Sequence, residues 1–417
     1  MSDEEVIARS QTPASRLAAY VRGGGVIVPL ITVLLAFVIG GFVVLLAGKD
    51  PIATYEAIWR GTGLQWLFPW TTGEDRTLAA INLQQTLIIT TPLILTGLAV
   101  AFAFRAGLFN IGGNGQYIMG SIAAVWVGSS FADMPALLHV VLAMVAAVAA
   151  GAFWAGIAGF LKATVGAHEV ITTIMLNYTA IFVGLYLFGL GGPLQSDTET
   201  SVPVSNDVVE GAKLPVFWGD PVLQGLHIGI FIALAALVVF WIVLNRSTTG
   251  FEVRAVGLNP EAARYSGMSV SKNYVLVMAA CGAFAGLAGS LDVLGWQFRL
   301  ATNDIQIAQA GFIGIAVALL GRNTALGTAA AALLFGALFS GTSQRNLDAS
   351  VFEPELAANL TYIIQGLVIV IVSADVLVLG LLRRGRGFIG RGTGRAGPPP
   401  ATVAARSHGA PPPEPGP

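Results

Sequence analysis

The feature that most constrains this chain is a succession of apolar runs, each long enough to cross a bilayer. A hydrocarbon core of about 30 Å needs roughly 20 apolar helical residues. Ten runs qualify, at about 26–47, 84–104, 112–131, 135–160, 170–190, 226–244, 273–296, 305–321, 324–344 and 358–381. Lipid offers no partner to a bare N–H or C=O, so runs of this length must close their hydrogen bonds internally, as helices. The expected fold class is all-α: a polytopic membrane helical bundle of about 10 transmembrane helices. Composition agrees, with 55% hydrophobic and 11% charged residues, against about 25% charged in soluble proteins. The third and eighth runs are short and glycine-rich. The first run, 22 residues long, has span length, beyond the roughly 7–15 of a signal-peptide core.

Basic residues set the orientation. With the N-terminus inside, the inner segments hold 16 Lys and Arg and the outer segments 6. Cytoplasmic loops carry such an excess, so both termini are expected in the cytoplasm. The chain then divides into a cytoplasmic segment 1–25, a transmembrane domain 26–382 and a Pro/Gly/Arg-rich cytoplasmic tail 383–417. The tail lacks the apolar residues for a core and reads as disordered. Arg383, Arg384 and Arg386 offer it a contact with membrane lipid. Two long outer loops remain. Residues 48–83 carry Trp59, Trp66 and Trp70, residues suited to the membrane interface. Residues 191–225 carry Asp197, Glu199, Asp207, Glu210 and Asp220 against Lys213. A soluble partner could dock on either.

The inner loop 245–273 is polar and holds a short helix with its punctuation written out. Asn259 can cap, Pro260 fits the first turn, and Glu261 sits at the positive end of the helix dipole. Gly267 can take the left-handed conformation that ends a helix. So short a helix is unstable alone and must dock, either on its own spans or in a partner.

The turn 104–117 places Gly107, Gly112, Gly113 and Gly115 beside Asn110, Asn114 and Gln116. Glycines this dense break a helix. The break can be a tight turn at the inner surface, or exposed backbone that binds a polar ligand at membrane depth. In the fifth run Glu169, Thr173 and Asn177 share one helical face. They serve either as hydrogen-bonding glue between helices or, through Asn177 and Tyr178, as part of a substrate path. Gly282, Gly286 and Ser290 form a small-residue packing ridge. Beyond Asp292, Trp296 could stack on a base or sugar ring.

No phosphate-binding loop, nucleophile elbow or metal-ligand spacing occurs in the sequence, and its one cysteine, Cys281, excludes a disulfide framework. No metal, cofactor, catalytic residue or nucleic-acid partner is expected. Among transport mechanisms, an ion-coupled secondary transporter needs buried ionisable residues. Only Glu169, Asp292 and Asp375 qualify, all near run ends.

Glu261-Ala262-Ala263, with Gly267 four residues on, resembles the EAA-type loop of ABC importer permeases. Gly107 to Gln116 (GLFNIGGNGQ) is similar to a signature of nucleoside and simple-sugar ABC permeases. Glu169 to Tyr178 (EVITTIMLNY) and Gly257 to Pro260 resemble further signatures of that group, which includes ribose and branched-chain amino acid-like systems. The long outer loops look like those of the larger of two permease subunits. Two departures stand out: Asn114, where many relatives carry an acid, and His168, where they often carry Asn.

The resemblance implies a permease subunit of an ATP-driven importer in the cell membrane, forming the translocation path for nucleosides, with simple sugars or branched-chain amino acids as alternatives. It implies that ATP is hydrolysed on a separate ABC ATPase subunit, that a second permease completes a heterodimer, and that an extracytoplasmic substrate-binding lipoprotein delivers the ligand. Asn259, Pro260, Glu261, Ala262, Ala263, Arg264, Tyr265 and Gly267 would then form the ATPase-coupling helix. Asn110, Asn114, Gln116, Asn177, Tyr178 and Trp296 would be the substrate-path candidates.

Overall fold

The computed structural model describes residues 27–220 and 225–343, together with 359, 362–364, 366–367 and 370. All lie in one unit, residues 1–373; the second unit, 374–417, lies outside them. The expected N-terminal segment, most of the tenth span and the C-terminal tail fall outside the described residues.

Among the described residues the regular elements are helices and one short hairpin, with an isolated bridge between Val204 and Ala301. Its helices are α1 (Ile27–Leu46), α2 (Pro51–Thr62), α3 (Gly73–Arg105), α4 (Gly113–Gly128), α5 (Ala136–Val165) and α6 (Glu169–Phe188). After the hairpin come α7 (Gly229–Arg246), α8 (Thr248–Leu258), α9 (Pro260–Tyr265), α10 (Val270–Asp292), α11 (Thr302–Ile307), α12 (Ala310–Leu320) and α13 (Ala325–Gly341). Among the described residues seven spans are long and apolar enough to cross a membrane: α1, α3, α5, α6, α7, α10 with its extension to Gln297, and the interrupted α11–α12. The chain is therefore a multi-pass helical membrane bundle. The third and eighth runs depart from full spans for physical reasons. Helix α4 has 16 residues, about 24 Å at 1.5 Å per residue, too short for the whole core. The eighth run is interrupted at Ala308–Gln309.

Helix α3 is the central post, with residues 93–103 continuously buried. Helices α4, α5 and α10 meet where glycines remove the side chains between them. A Cβ on Gly282 would lie 2.0 Å from the Gly151 carbonyl oxygen, and one on Gly120 would lie 2.4 Å from Gly286 Cα. Without a driving force from water, membrane helices associate through such close backbone approach. Residues 282, 286 and 290 are all buried, as the small-residue ridge requires.

The outer loops are more ordered than their composition suggests. Asp50 caps α2 by accepting the Ile52 N–H at 2.8 Å, Pro51 opens it, and Gly63 ends it at φ +71°. The stretch from Gly73 is already helix. In the second loop, β1 (Val216–Trp218) pairs antiparallel with β2 (Leu226–His227). The two loops meet where the rings of Trp66 and Trp218 lie 4.9 Å apart. At the end of β2, His227 is buried. Its Nδ1 accepts the Gly229 N–H at 3.1 Å, and a Cβ on Gly295 would fall 2.4 Å from its Nε2. Burial pushes its pKa down from 6.5 to about 4.

Candidate functional site

Two interrupted helices meet inside the bundle. The first break follows Arg105, whose Nε donates to the Asn323 carbonyl at 3.0 Å. Gly107 turns the chain at φ +69°. A Cβ there would sit 2.9 Å from the Gly257 carbonyl oxygen, so the break starts at the inner end, against α8. It finishes much deeper. Asn177 accepts the Gly115 N–H at 2.7 Å through Oδ1 and donates to the Ile111 carbonyl at 3.0 Å through Nδ2. Asn177 lies eight residues into α6, about 12 Å along its axis. The stretch 106–112 is thus both the inner turn and a non-helical rise to membrane depth.

The polar side chains of the break fall into two groups. Asn110 and Gln116 bond each other reciprocally, with both Nδ2–Oε1 and Nε2–Oδ1 at 3.0 Å. Asn110 Oδ1 also accepts the Gly112 N–H at 2.9 Å. These two carboxamides and Asn177 hold the break in shape. Asn114 differs: it is 1% exposed, and neither its Oδ1 nor its Nδ2 has a hydrogen-bond partner among the described residues. Such a group costs about 1–3 kcal/mol in a sealed apolar site.

The second break, between α11 and α12, abuts Asn114. A Cβ on Gly311 would lie 2.0 Å from the Asn114 backbone nitrogen, so only glycine lets the helix starts cross there. Sequence reasoning missed this break. Its signal was Gln306 and Gln309 within an apolar run; both are exposed. Tyr178 on neighbouring α6 is 57% exposed.

The rest of the α6 stripe is structural. Glu169 pairs with Lys162 at 2.6 Å, and the Thr173 hydroxyl donates to the Glu169 carbonyl at 2.8 Å. Trp296 stands apart from the Asn114 junction, in a π-turn after α10. Its Nε1 donates to Asp292 Oδ1 at 3.1 Å, and Tyr117 donates to Asp292 Oδ2 at 2.5 Å. This acid, near the end of its apolar run, is buried, and the indole edge is committed to it. No cluster of metal-ligating residues occurs among the described residues.

At the inner face, Asn259 Oδ1 accepts the Ala262 N–H at 3.0 Å, and Gly267 turns at φ +84°. Ala263 is buried with Val256 and Val270. Tyr265 is 91% exposed and Leu258 is 88% exposed. Helix α9 thus anchors by one residue and leaves Glu261, Ala262, Arg264 and Tyr265 exposed, beside Leu258 at the end of α8. Sequence reasoning missed α8 before it, capped by Ser247, whose Oγ accepts the Gly250 N–H at 2.9 Å.

Comparison with known proteins places this arrangement. The family described as branched-chain amino acid transport system / permease component matches residues 82–373. The guanosine ABC transporter permease protein NupP of Bacillus subtilis is 42% identical over 78% of this chain and 88% of that protein. The nucleoside ABC transporter permease protein NupB of Lactococcus lactis is 36% identical over 81% of this chain and 88% of its own length. The glucose ABC transporter permease protein TsgB13 of Haloferax volcanii is 36% identical over 82% and 85%. No solved structure matches. A match across well over half its length, with relatives of this identity and coverage, means that the chain belongs to the branched-chain amino acid transport system permease family, as a multi-pass membrane subunit of an ABC transporter.

Proposed function

We propose that this chain forms one side of the translocation path of an ATP-driven nucleoside importer, with substrate passing the junction of the two breaks. The observation that carries the site is Asn114, a buried carboxamide with neither its donor nor its acceptor used. One donor beside one acceptor complements the edge of a nucleobase, as Asn does with adenine. The names of NupP and NupB favour this ligand class.

Tyr178, Gln306 and Gln309 support a second permease. Carboxamides at membrane depth do not face lipid, so this side is covered by protein or lines water. The exposed face of α9 suits the cleft of an ATPase subunit, which would hydrolyse the ATP. The cap built from the two outer loops suits a substrate-binding lipoprotein. Nucleotide binding would shift α9 and, through α8, the first break, a rigid-body route to alternating access.

The test is uptake of radiolabelled guanosine by proteoliposomes holding the whole complex. Asn114→Leu is expected to lower uptake about tenfold, the effect of roughly 1.4 kcal/mol, with normal membrane insertion. Unchanged uptake would remove Asn114 from the path. Uptake of glucose without guanosine would transfer the reading to simple sugars, the class named for TsgB13.

A further inference from the structure

A groove of about 450 Å³ lies between α1, α2 and α13. Its walls are Phe37 and Val38 from α1, Tyr55 and Trp59 from α2, and Leu334 and Leu338 from α13. We propose that it holds one acyl chain of an outer-leaflet phospholipid, bound as a structural part of the protein. The lining is almost wholly apolar. At about 30 Å³ per water-sized group, the volume takes roughly 15 methylenes, the length of one such chain.

The groove is built into the fold. The Tyr55 hydroxyl donates to the Phe37 carbonyl at 2.5 Å and straps α2 to α1. A Cβ on Gly40 would lie 2.9 Å from that hydroxyl, so glycine makes room for the strap. At the far end of α2, a Cβ on Gly61 would lie 2.7 Å from the Gly341 carbonyl oxygen, which locks α2 to α13. Trp59 and Trp70 are exposed around α2, and tryptophans mark the headgroup level. The family match starts at residue 82. Two walls of the groove therefore precede the shared bundle and the third belongs to it. Much of α1 is exposed, including Leu30, Leu34, Phe42 and Leu45. A bound chain would join this leading helix to the bundle.

The test starts from the complex purified in mild detergent and washed with lipid-free detergent, with phospholipid per chain measured by extraction and by native mass spectrometry. About one phospholipid is expected to resist washing, and Gly41→Phe or Ala337→Phe, each at a position lining the groove, is expected to reduce it to background. Should either variant fold poorly, the wild-type protein in vesicles of chain-brominated phospholipid gives an independent answer. The emission lost on Trp59→Phe should be quenched and stay quenched after dilution with unbrominated lipid. Equal lipid in wild type and variants, or quenching that reverses at once on dilution, would overturn the proposal. So would photo-crosslinking from position 38 to residues 344–358, which would make that segment the occupant. None of these readouts depends on which solute is transported.

Discussion

His227 shows how one buried side chain can make the outer cap sensitive to pH. Its imidazole sits at the end of β2 with Nδ1 already accepting from Gly229, so the neutral ring carries its proton on Nε2, which lies against Gly295. Burial holds the pKa at about 4, while a solvated histidine titrates near 6.5. The opened cap therefore binds a proton that the closed cap refuses. Closure is fully favoured above about 6.5 and weakens as pH falls from there to about 4, in total by about 3 kcal/mol. Protection factors across residues 214–220 and 225–230, with the intrinsic exchange rate divided out at each pH, should fall as pH drops through that window, by up to about tenfold per pH unit. His227→Gln should flatten the profile. A flat wild-type profile would mean that another group controls the cap.

At the scale of single elements, the chain shows which signals sequence alone delivers. Asn259-Pro260 with Gly267 was sufficient to place α9, because caps and left-handed glycines are local physics. Asp50-Pro51 with Gly63 is the same signal, and it bounds α2 inside a stretch that hydropathy alone leaves as a loop. Helix α8 leaves a fainter trace: it is short and only Gly250, Val253 and Val256 are buried, so its periodicity is weak. The first break was legible in its glycines. Its depth was not, since that follows from Asn177, 62 residues from the Gly115 it holds. The second break was hidden in an apolar run. Deleting residues 262–267 should abolish uptake while insertion and the purified yield of the bundle remain. Normal uptake in that deletion would end the coupling role of α9. Asn259→Ala is the milder probe: losing the cap costs about 1 kcal/mol and should lower ATP-stimulated uptake without abolishing it.

For the whole molecule, hydropathy gave the bundle, while the orientation rests on the basic residues alone. Neither could identify the sides left uncovered, because periodicity does not distinguish lipid from a partner. The structure adds polar exposure: Tyr178, Gln306 and Gln309 are exposed, on the side that the proposed second permease would cover. Cysteine at 178 or 309 should crosslink to the second permease in membranes. Labelling of both positions by a lipid-soluble probe, with no crosslink, would place that side in the bilayer. The background variant for this experiment replaces Cys281, which is buried.

The contact between Gly107 and Gly257 carries a mechanical consequence. Main chain touches main chain there, and no flexible side chain lies between them to absorb strain. Displacing the loop that an ATPase would grip must therefore drag the foot of the first break by a similar distance, like two meshed gear teeth without backlash. A bulkier residue at either position would force the pair apart and loosen that linkage, even with every ligand-facing group intact.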